Sequence, residues 1–415
     1  MESTLEQALQ TTLFSRVMHA PCSVPPEVPP PREPMTVAGL FAGIGGIELG
    51  LSRSGHNTAL LCEIDDGARA VLDAHFPGIP KHADVTTLPR FPEGTQLVTA
   101  GFPCQDLSQA GKATGIQGAR SGLVGQVFRL LEHQRVPWLL IENVPFMLQL
   151  AGGEALEVIV AALEHLGYRW AYRVVDTRAF GLPQRRRRVY LVASQSEDPR
   201  GVLYADDVGT QVGPTKEAWR TAACGFYWTE GLRGLGWAHD AVPTLKGGSA
   251  VGIPSAPAIV LPDGRIGTPD IRDAERMQGF EPGWTRPVES LKKAGFRWKL
   301  VGNAVSVDAA AWIGGRLRQP GIYDDAHDRP LVTKGSAWPT SGYNVDGQRM
   351  APADLSEWPM VTERQALTEF LNFDLKPLSA TAAKGFHGRA IKAKLYFPPG
   401  FLALVKNHYE RAGNG

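Results

Sequence analysis

Cys104 stands directly after Pro103 in the stretch "GFPCQDLSQAG", just past a short apolar run that ends at Ala100. A free cysteine is usually a small buried hydrophobe. This one sits in a turn fenced by Gly101, Pro103 and Gly111, where a thiolate could serve as a nucleophile. A second apolar run, 138–141, leads into Glu142, Asn143, Val144 and Pro145. An unpaired carboxylate there is expensive to bury, so Glu142 is expected to handle a ligand or a proton. The run "QRRRRVYLVAS" at 184–194 puts Arg186, Arg188 and Tyr190 on one face of a strand and Arg187, Val189 and Leu191 on the other. Arginine charge near a thiol lowers its pKa from an ordinary value of about 8.5.

A fourth group reads as a nucleoside site. In "LFAGIGG", Gly43, Gly45 and Gly46 allow a backbone to approach a ligand closely. Glu63 follows 20 residues after Gly43, where an acid can accept the hydroxyls of a ribose. The G-x-G-G spacing departs from the dinucleotide pattern and no P-loop lysine follows, so no pyrophosphate is required.

These residues need a scaffold that brings them to one edge. From about 36 to 194 short β-prone runs alternate with amphipathic stretches, which predicts a parallel sheet covered by helices. Strands are expected at 36–41, 58–62, 96–100, 138–141, 170–175 and 188–194. In "EALEVIVAALEHLG" (154–167), Leu156, Ile159, Val160, Leu163 and Leu166 share one helical face before a glycine stop. Ligands in such sheets bind outside the carboxyl ends of the strands, the rim where Cys104, Glu142 and the "LFAGIGG" loop all fall. If 170–175 runs parallel to its neighbours, the strand from Arg188 returns antiparallel and begins on that same rim.

Residues 1–34 end in a proline-rich leader, "PCSVPPEVPPPREP". The catalytic domain is expected at 35–194 and a second, irregular β-rich domain at 195–270. The chain then returns to the first domain over 271–320, with helical patterns at 271–279 and 298–317. An extension of unassigned role, 321–415, holds a possible helix at 363–373 and no evident chemistry.

The 415 residues are 43% hydrophobic and carry a formal net charge of +1, so any surface for a polyanion must come from local clusters. Cys22, Cys62, Cys104 and Cys224 form no zinc-ligand spacing, and no metal site is expected. Reduced thiols, no signal-peptide pattern and no long apolar run predict a soluble cytoplasmic protein without a membrane partner.

The motifs together resemble the DNA (cytosine-5) methyltransferases, in that family's order: "LFAGIGG", "GFPCQ", "ENV", "QRRRRVY", "RMQGF" at 276–280 and "GNAV" at 302–305. The resemblance spans about 36–318 and implies a Rossmann-like, mostly parallel mixed sheet with one antiparallel strand, plus a small target-recognition domain. It implies S-adenosylmethionine as cofactor, surrounded by Phe41, Gly43, Ile44, Gly45, Gly46, Glu63, Ile64, Asp84, Val85, Pro103, Leu123, Asn303 and Val305. Cys104 would attack carbon 6 of a flipped cytosine, Glu142 would bond the nitrogen 3 edge, and Arg186 and Arg188 would hold the base and the nucleophile's surroundings. Gln105, Ser108 and Arg120 would approach DNA or the loop that closes over it. Arg233 and Lys246, with Arg265, Trp237 and His239, are candidates for reading flanking bases, while Trp228 and Trp237 read equally well as core. Lys292, Lys293, Arg297 and Lys299 are candidates for phosphate contacts. The implied partners are duplex DNA and, as a candidate, a cognate restriction endonuclease, with a monomeric enzyme in a bacterial or phage setting. The acid common in the family before "LFAG" is Gly39 here, at the expense of one supporting hydrogen bond.

Three other readings compete. An RNA cytosine-5 methyltransferase would share the fold, but "PCQ" and the long insert before "RMQGF" favour DNA. A catalytically silent DNA-binding homologue is disfavoured because every expected catalytic side chain is present. A nicotinamide or flavin oxidoreductase leaves Cys104 and Glu142 together unexplained.

Overall fold

The computed structural model describes residues 30–103, 122–211, 218–248, 255–333 and 337–413. Its centre is a ten-stranded sheet. Strands β1 (Thr36–Leu40), β2 (Asn57–Cys62), β3 (Lys81–His82), β4 (Leu97–Ala100) and β5 (Trp138–Asn143) are parallel, in spatial order 3-2-1-4-5. β4 is buried at every position, as a strand covered on both faces by helices must be. Beyond β5 come β8 (Arg187–Ser194) and then β6 (Arg169–Asp176), with β8 antiparallel to both. The reversal places the start of β8 beside the end of β5, pairing Glu142 with Tyr190. β7 (Gln184–Arg185) lies just before β8 and pairs with β11 (Val242–Pro243) of the small domain.

Helices cover both faces. On one side α1 (Gly46–Arg53) packs on α8 (Val307–Arg318), burying Leu51, Ala309, Ala310, Ile313 and Leu317 against Leu97, Leu140 and Val192. On the other lie α3 (Leu123–His133) and α4 (Glu154–His165). α4 buries Leu156, Ile159, Val160 and Leu163, the face its spacing predicts. α2 (Asp66–His75) is capped by Asp65, whose side chain accepts from the amides of Gly67 and Ala68.

The helical pattern expected across 298–317 is two helices, α7 (Phe296–Asn303) and α8. The chain turns extended at Ala304 and again at Ser306. The break frees the carbonyls of Gly302 and Ala304 at the end of α7, and a buried arginine takes both. Helix α5 (Arg200–Leu203) and Tyr204, expected in the second domain, instead belong to the large sheet's core. The Tyr204 hydroxyl donates to the carbonyls of Tyr172 and Gly342 at 2.9 and 2.6 Å. Arg32, at the end of the leader, lies over the Trp138 ring and pairs with Glu197.

The small domain is a five-stranded sheet in the order β10-β9-β12-β13-β17: Trp237–His239, Cys224–Phe226, Ala258–Val260, Ile266–Thr268 and Lys376–Pro377. One face meets α6 (Ile271–Arg276) and α7 through Ala223, Val242, Ile259, Met277 and Val301. The other is covered by α10 (Ala380–Lys392) and α11 (Phe401–Gly413).

The segment 321–415 therefore completes both sheets. β14 (Arg329–Pro330), β15 (Ser341–Asn344) and β16 (Arg349–Ala351) extend the large sheet as three antiparallel edge strands beyond β6. The helix expected over 363–373 is only α9 (Leu367–Phe370), flanked by backbone bonds from Asn372 and Phe373 to the buried Asp273 carboxylate. No helix among the described residues is long and apolar enough to cross a membrane.

Phe386 of α10 is fully buried, with its ring centroid 4.5 Å from that of Phe226. Phe386→Ala should lower unfolding stability by about 3–5 kcal/mol in urea titration. An unchanged midpoint would show that the C-terminal helices do not hold the small domain together.

Candidate active site

The carboxyl ends of β1, β2, β4 and β5 open onto a cleft of about 530 Å³. Phe41, Gly43, Ile44, Glu63, Ile64, Asp84, Val85, Pro103, Leu123 and Asn303 line it, together with Glu142, Arg186 and Arg188. Thirteen of the catalytic and cofactor residues named from sequence thus converge.

Gly45, Gly46 and Val305 do not line it. They sit behind the loop, where a Cβ on Gly45 would come within 2.3 Å of Phe76 and one on Gly46 within 2.4 Å of the Val305 carbonyl. These positions are small so that α1 can seat, not so that a ligand can approach. Cys104, Gln105, Ser108 and Arg120 lie outside the described residues. Arg233 is exposed in the β9–β10 connection. Lys246 is occupied within the small domain, with Nζ 3.2 Å from Glu230 Oε1 and 4.0 Å above the Tyr227 ring.

At one end of the cleft, Glu63 ties the loop after β1 to the turn after β2. Its Oε2 accepts from the Gly43 amide and its Oε1 from the Asp65 amide, each at 2.8 Å. Each oxygen keeps a lone pair for a ligand. Burial pushes the Glu63 carboxyl above its ordinary pKa, while those amides pull the other way. Asp84 is held below its ordinary value by hydrogen bonds from Thr86 and remains an anion at the rim. Ile64 is 70% exposed, an apolar surface that a flat ring would cover.

At the other end, Arg188 Nε lies 2.9 Å from Glu142 Oε1. That oxygen has no further partner among the described residues. Burial pushes the Glu142 carboxyl above its ordinary range, opposed by Arg188 and Arg186. Arg186 is fully buried and donates to the carbonyls of Leu245, Gly302 and Ala304 at 3.1, 3.2 and 2.5 Å. Its Nε has no partner among the described residues.

Further cleft residues position the site. Asn143 donates its amide to the Phe102 carbonyl at 3.0 Å, which holds the chain entering Pro103. Lys299 lines the cleft and pairs with Asp65 at 2.7 Å. The sequence suggested it as a phosphate contact, but its ammonium is taken by that carboxylate. Lys292 and Arg297 are likewise engaged, by Asp66 and by Glu275 with Glu289. Cys62 also lines the cleft, but burial pushes its thiol up to about 12, which leaves it a poor nucleophile.

Gly39 has a counterpart. A Cβ there would fall 2.3 Å from Glu48 Oε1, because the α1 carboxyl leans into the space over β1. Glu48 Oε1 accepts from the Thr99 hydroxyl at 3.0 Å, and Oε2 has no partner among the described residues. A carboxyl still stands beneath the cleft loop, delivered by the helix and not the strand.

Residues 35–216 match the family model of the C-5 cytosine-specific DNA methylases. The Type II methyltransferase M2.BsuMI of Bacillus subtilis (strain 168) is 50% identical over 368 residues, which is 86% of this chain and 94% of that protein. The chain belongs to the C-5 cytosine-specific DNA methylases. A further relative of this methylase, the Type II methyltransferase M.MspI of Moraxella sp, is 33% identical over 180 residues, 41% of this chain and 42% of that one. Among solved structures, the Entamoeba histolytica methyltransferase EhMeth is 15% identical with a TM-score of 0.48, over 69% of this chain and 98% of that one.

Glu48 makes the methylase's stability depend on pH. Burial pushes its carboxyl up to about 7. A raised folded-state pKa favours folding while the group is protonated, and that advantage is lost as pH climbs from the unfolded value through the folded one. Glu48→Gln cannot ionise, so its melting temperature relative to the parent should rise between about pH 5 and about pH 8. A difference that stays flat over that range would contradict the assignment.

Proposed function

We propose that this enzyme moves the methyl group of S-adenosylmethionine to carbon 5 of a cytosine swung out of duplex DNA, with the Cys104 sulfur bonded for a time to carbon 6. The observation that carries the reading is Glu142. It is a buried carboxyl with a raised pKa, held by Arg188 alone among the described residues, on the same cleft as Glu63. Burial favours the protonated form of this carboxyl, the form that can donate to ring nitrogen 3 of cytosine.

The other end of the cleft suits the cofactor. Glu63, Asp65 and Asp84 ring it and Lys299 is paired with Asp65, which favours a cationic nucleoside over a polyphosphate. S-adenosylmethionine supplies the methyl group as an electrophile when bound. Glu63 would accept ribose hydroxyls, with Ile64 and Val85 against the base.

Carbon 5 of cytosine is too weak a nucleophile unaided. The Cys104 thiolate adds to carbon 6 while Glu142 supports nitrogen 3, and the electron pair moves onto carbon 5, which takes the methyl group. A base then removes the carbon 5 proton, the carbon–sulfur bond breaks, and the thiolate returns. Carbon 6 is out of reach in a stacked duplex, so the base must swing out, at about a few kcal/mol. Arg188 holds Glu142 in place, and the unpartnered Arg186 Nε is available to the base or the nucleophile. The reading extends to a monomer in a bacterial or phage-infected cytoplasm, with a cognate restriction endonuclease as its counterpart.

Given labelled S-adenosylmethionine and mixed-sequence duplex DNA, the protein should place label on cytosine carbon 5. Cys104→Ala should place none, and Glu142→Gln should lower kcat by about 100-fold or more while still binding the cofactor. Label on an exocyclic amine, or full activity in Cys104→Ala, would overturn the reading.

A further inference from the structure

Residues 376–411 hold seven lysines and arginines and a single acid, Glu410, whereas the whole chain balances 43 basic against 42 acidic residues. The remainder of the chain is therefore net negative, and positive charge is concentrated on the helices that cover the small sheet. The basic residues first suggested for phosphate or base contacts are mostly spent elsewhere. Lys246, Arg265, Lys292, Arg297 and Lys299 each pair with a carboxylate. Lys392, in the last turn of α10, and Lys394 just beyond it are exposed, and neither meets a carboxylate among the described residues.

Their position follows from two hydrogen bonds. Arg389 donates through Nη2 to the Trp228 carbonyl, and Trp237 Nε1 donates to the Tyr396 carbonyl at 3.0 Å. Trp228 and Trp237 bracket the β9–β10 connection, which carries the exposed Arg233. The stretch 389–396 thus runs beside that connection. Phe397 and Phe401, buried in the small domain's core, anchor it there. Tyr396 is 55% exposed on the same stretch.

We propose that this C-terminal stretch, centred on Lys392 and Lys394 with Tyr396 beside them, is a docking surface for the phosphate backbone of the duplex that flanks the target cytosine. The proposal rests on the methyl-transfer reading above and extends its DNA footprint beyond the cleft. Two exposed ammonium groups that meet no carboxylate among the described residues suit a backbone contact that carries no sequence information. The stretch is packed onto the small domain's core, so its contacts would set that domain's register on DNA.

The test compares the full chain with its Lys392→Gln/Lys394→Gln double variant, using fluorescence anisotropy on a mixed-sequence duplex of about 40 base pairs across a salt series. Losing two phosphate contacts should weaken binding about tenfold at low salt and flatten the slope of log K against log salt by about 1.8. Lys392→Arg/Lys394→Arg should keep the parental slope. Methyl transfer at saturating DNA and the melting temperature should match the parent in both variants, because the side chains are exposed and do not line the cleft. Parental affinity and slope in the glutamine variant, with methyl transfer intact, would overturn this surface and leave the enzymatic reading standing. A parent chain that transfers no methyl group to DNA would overturn both.

Discussion

The structure turns on one buried guanidinium. Arg186 sits between β7 and β8, yet its donors reach the carbonyls of Leu245 in the small domain and of Gly302 and Ala304 at the break between α7 and α8. Gln184 completes the hold: its Oε1 accepts from the Leu245 amide at 2.9 Å and its Nε2 donates to the Met277 carbonyl at 2.9 Å. The peptide groups on both sides of Leu245 are thereby clamped from the large sheet. A Cβ on Gly302 would fall 2.0 Å from the Lys246 carbonyl carbon, so only glycine lets the backbones approach this closely. Hydrogen bonds to a charged group contribute about 1.5–3 kcal/mol each, which offsets the cost of burying the cation.

That joint explains why the cleft is assembled from distant parts of the chain. Arg188, two residues on at the start of β8, reaches the same rim and sets itself against Glu142. The carboxyl is then flanked by two positive charges but shut away from water, and burial outweighs them. At the opposite end, Glu63 holds the glycine loop through Gly43, while Glu48 stands under it from α1. One face of the cleft is rich in carboxylates and the other holds the arginines. This polarity suits a cationic donor at one end and an electron-demanding ring at the other.

Much of this was legible in the sequence. The strands and α4 follow from apolar runs and a 3.6-residue period, and the rim location follows from where the runs before Glu63 and Glu142 end and where the run after Arg188 begins. The break at Ala304 was not legible, because Asn303 to Val307 fits a helical pattern and only the pull of Arg186 on the carbonyls reveals the alternative. Edge strand β15 escaped because Ser341–Asn344 has no alternation; its pairing with β6 is set by a long-range partner. Gly45 and Gly46 looked like ligand-facing residues, but glycine serves close packing and close approach equally, and composition does not separate the two. Glu48 was hidden because a carboxylate delivered by a helix leaves no mark at the strand position it fills.

If Arg186 binds the two domains into one working unit, loosening its grip must free the segments it holds and leave the rest of the sheet intact. Amide hydrogen exchange on Arg186→Lys is the most direct measurement, since lysine keeps the charge and loses the fork of donors. Faster exchange is expected over 242–248 and 300–305, with the amides of β1, β4 and β5 keeping their protection. Parental exchange in both segments would contradict the account.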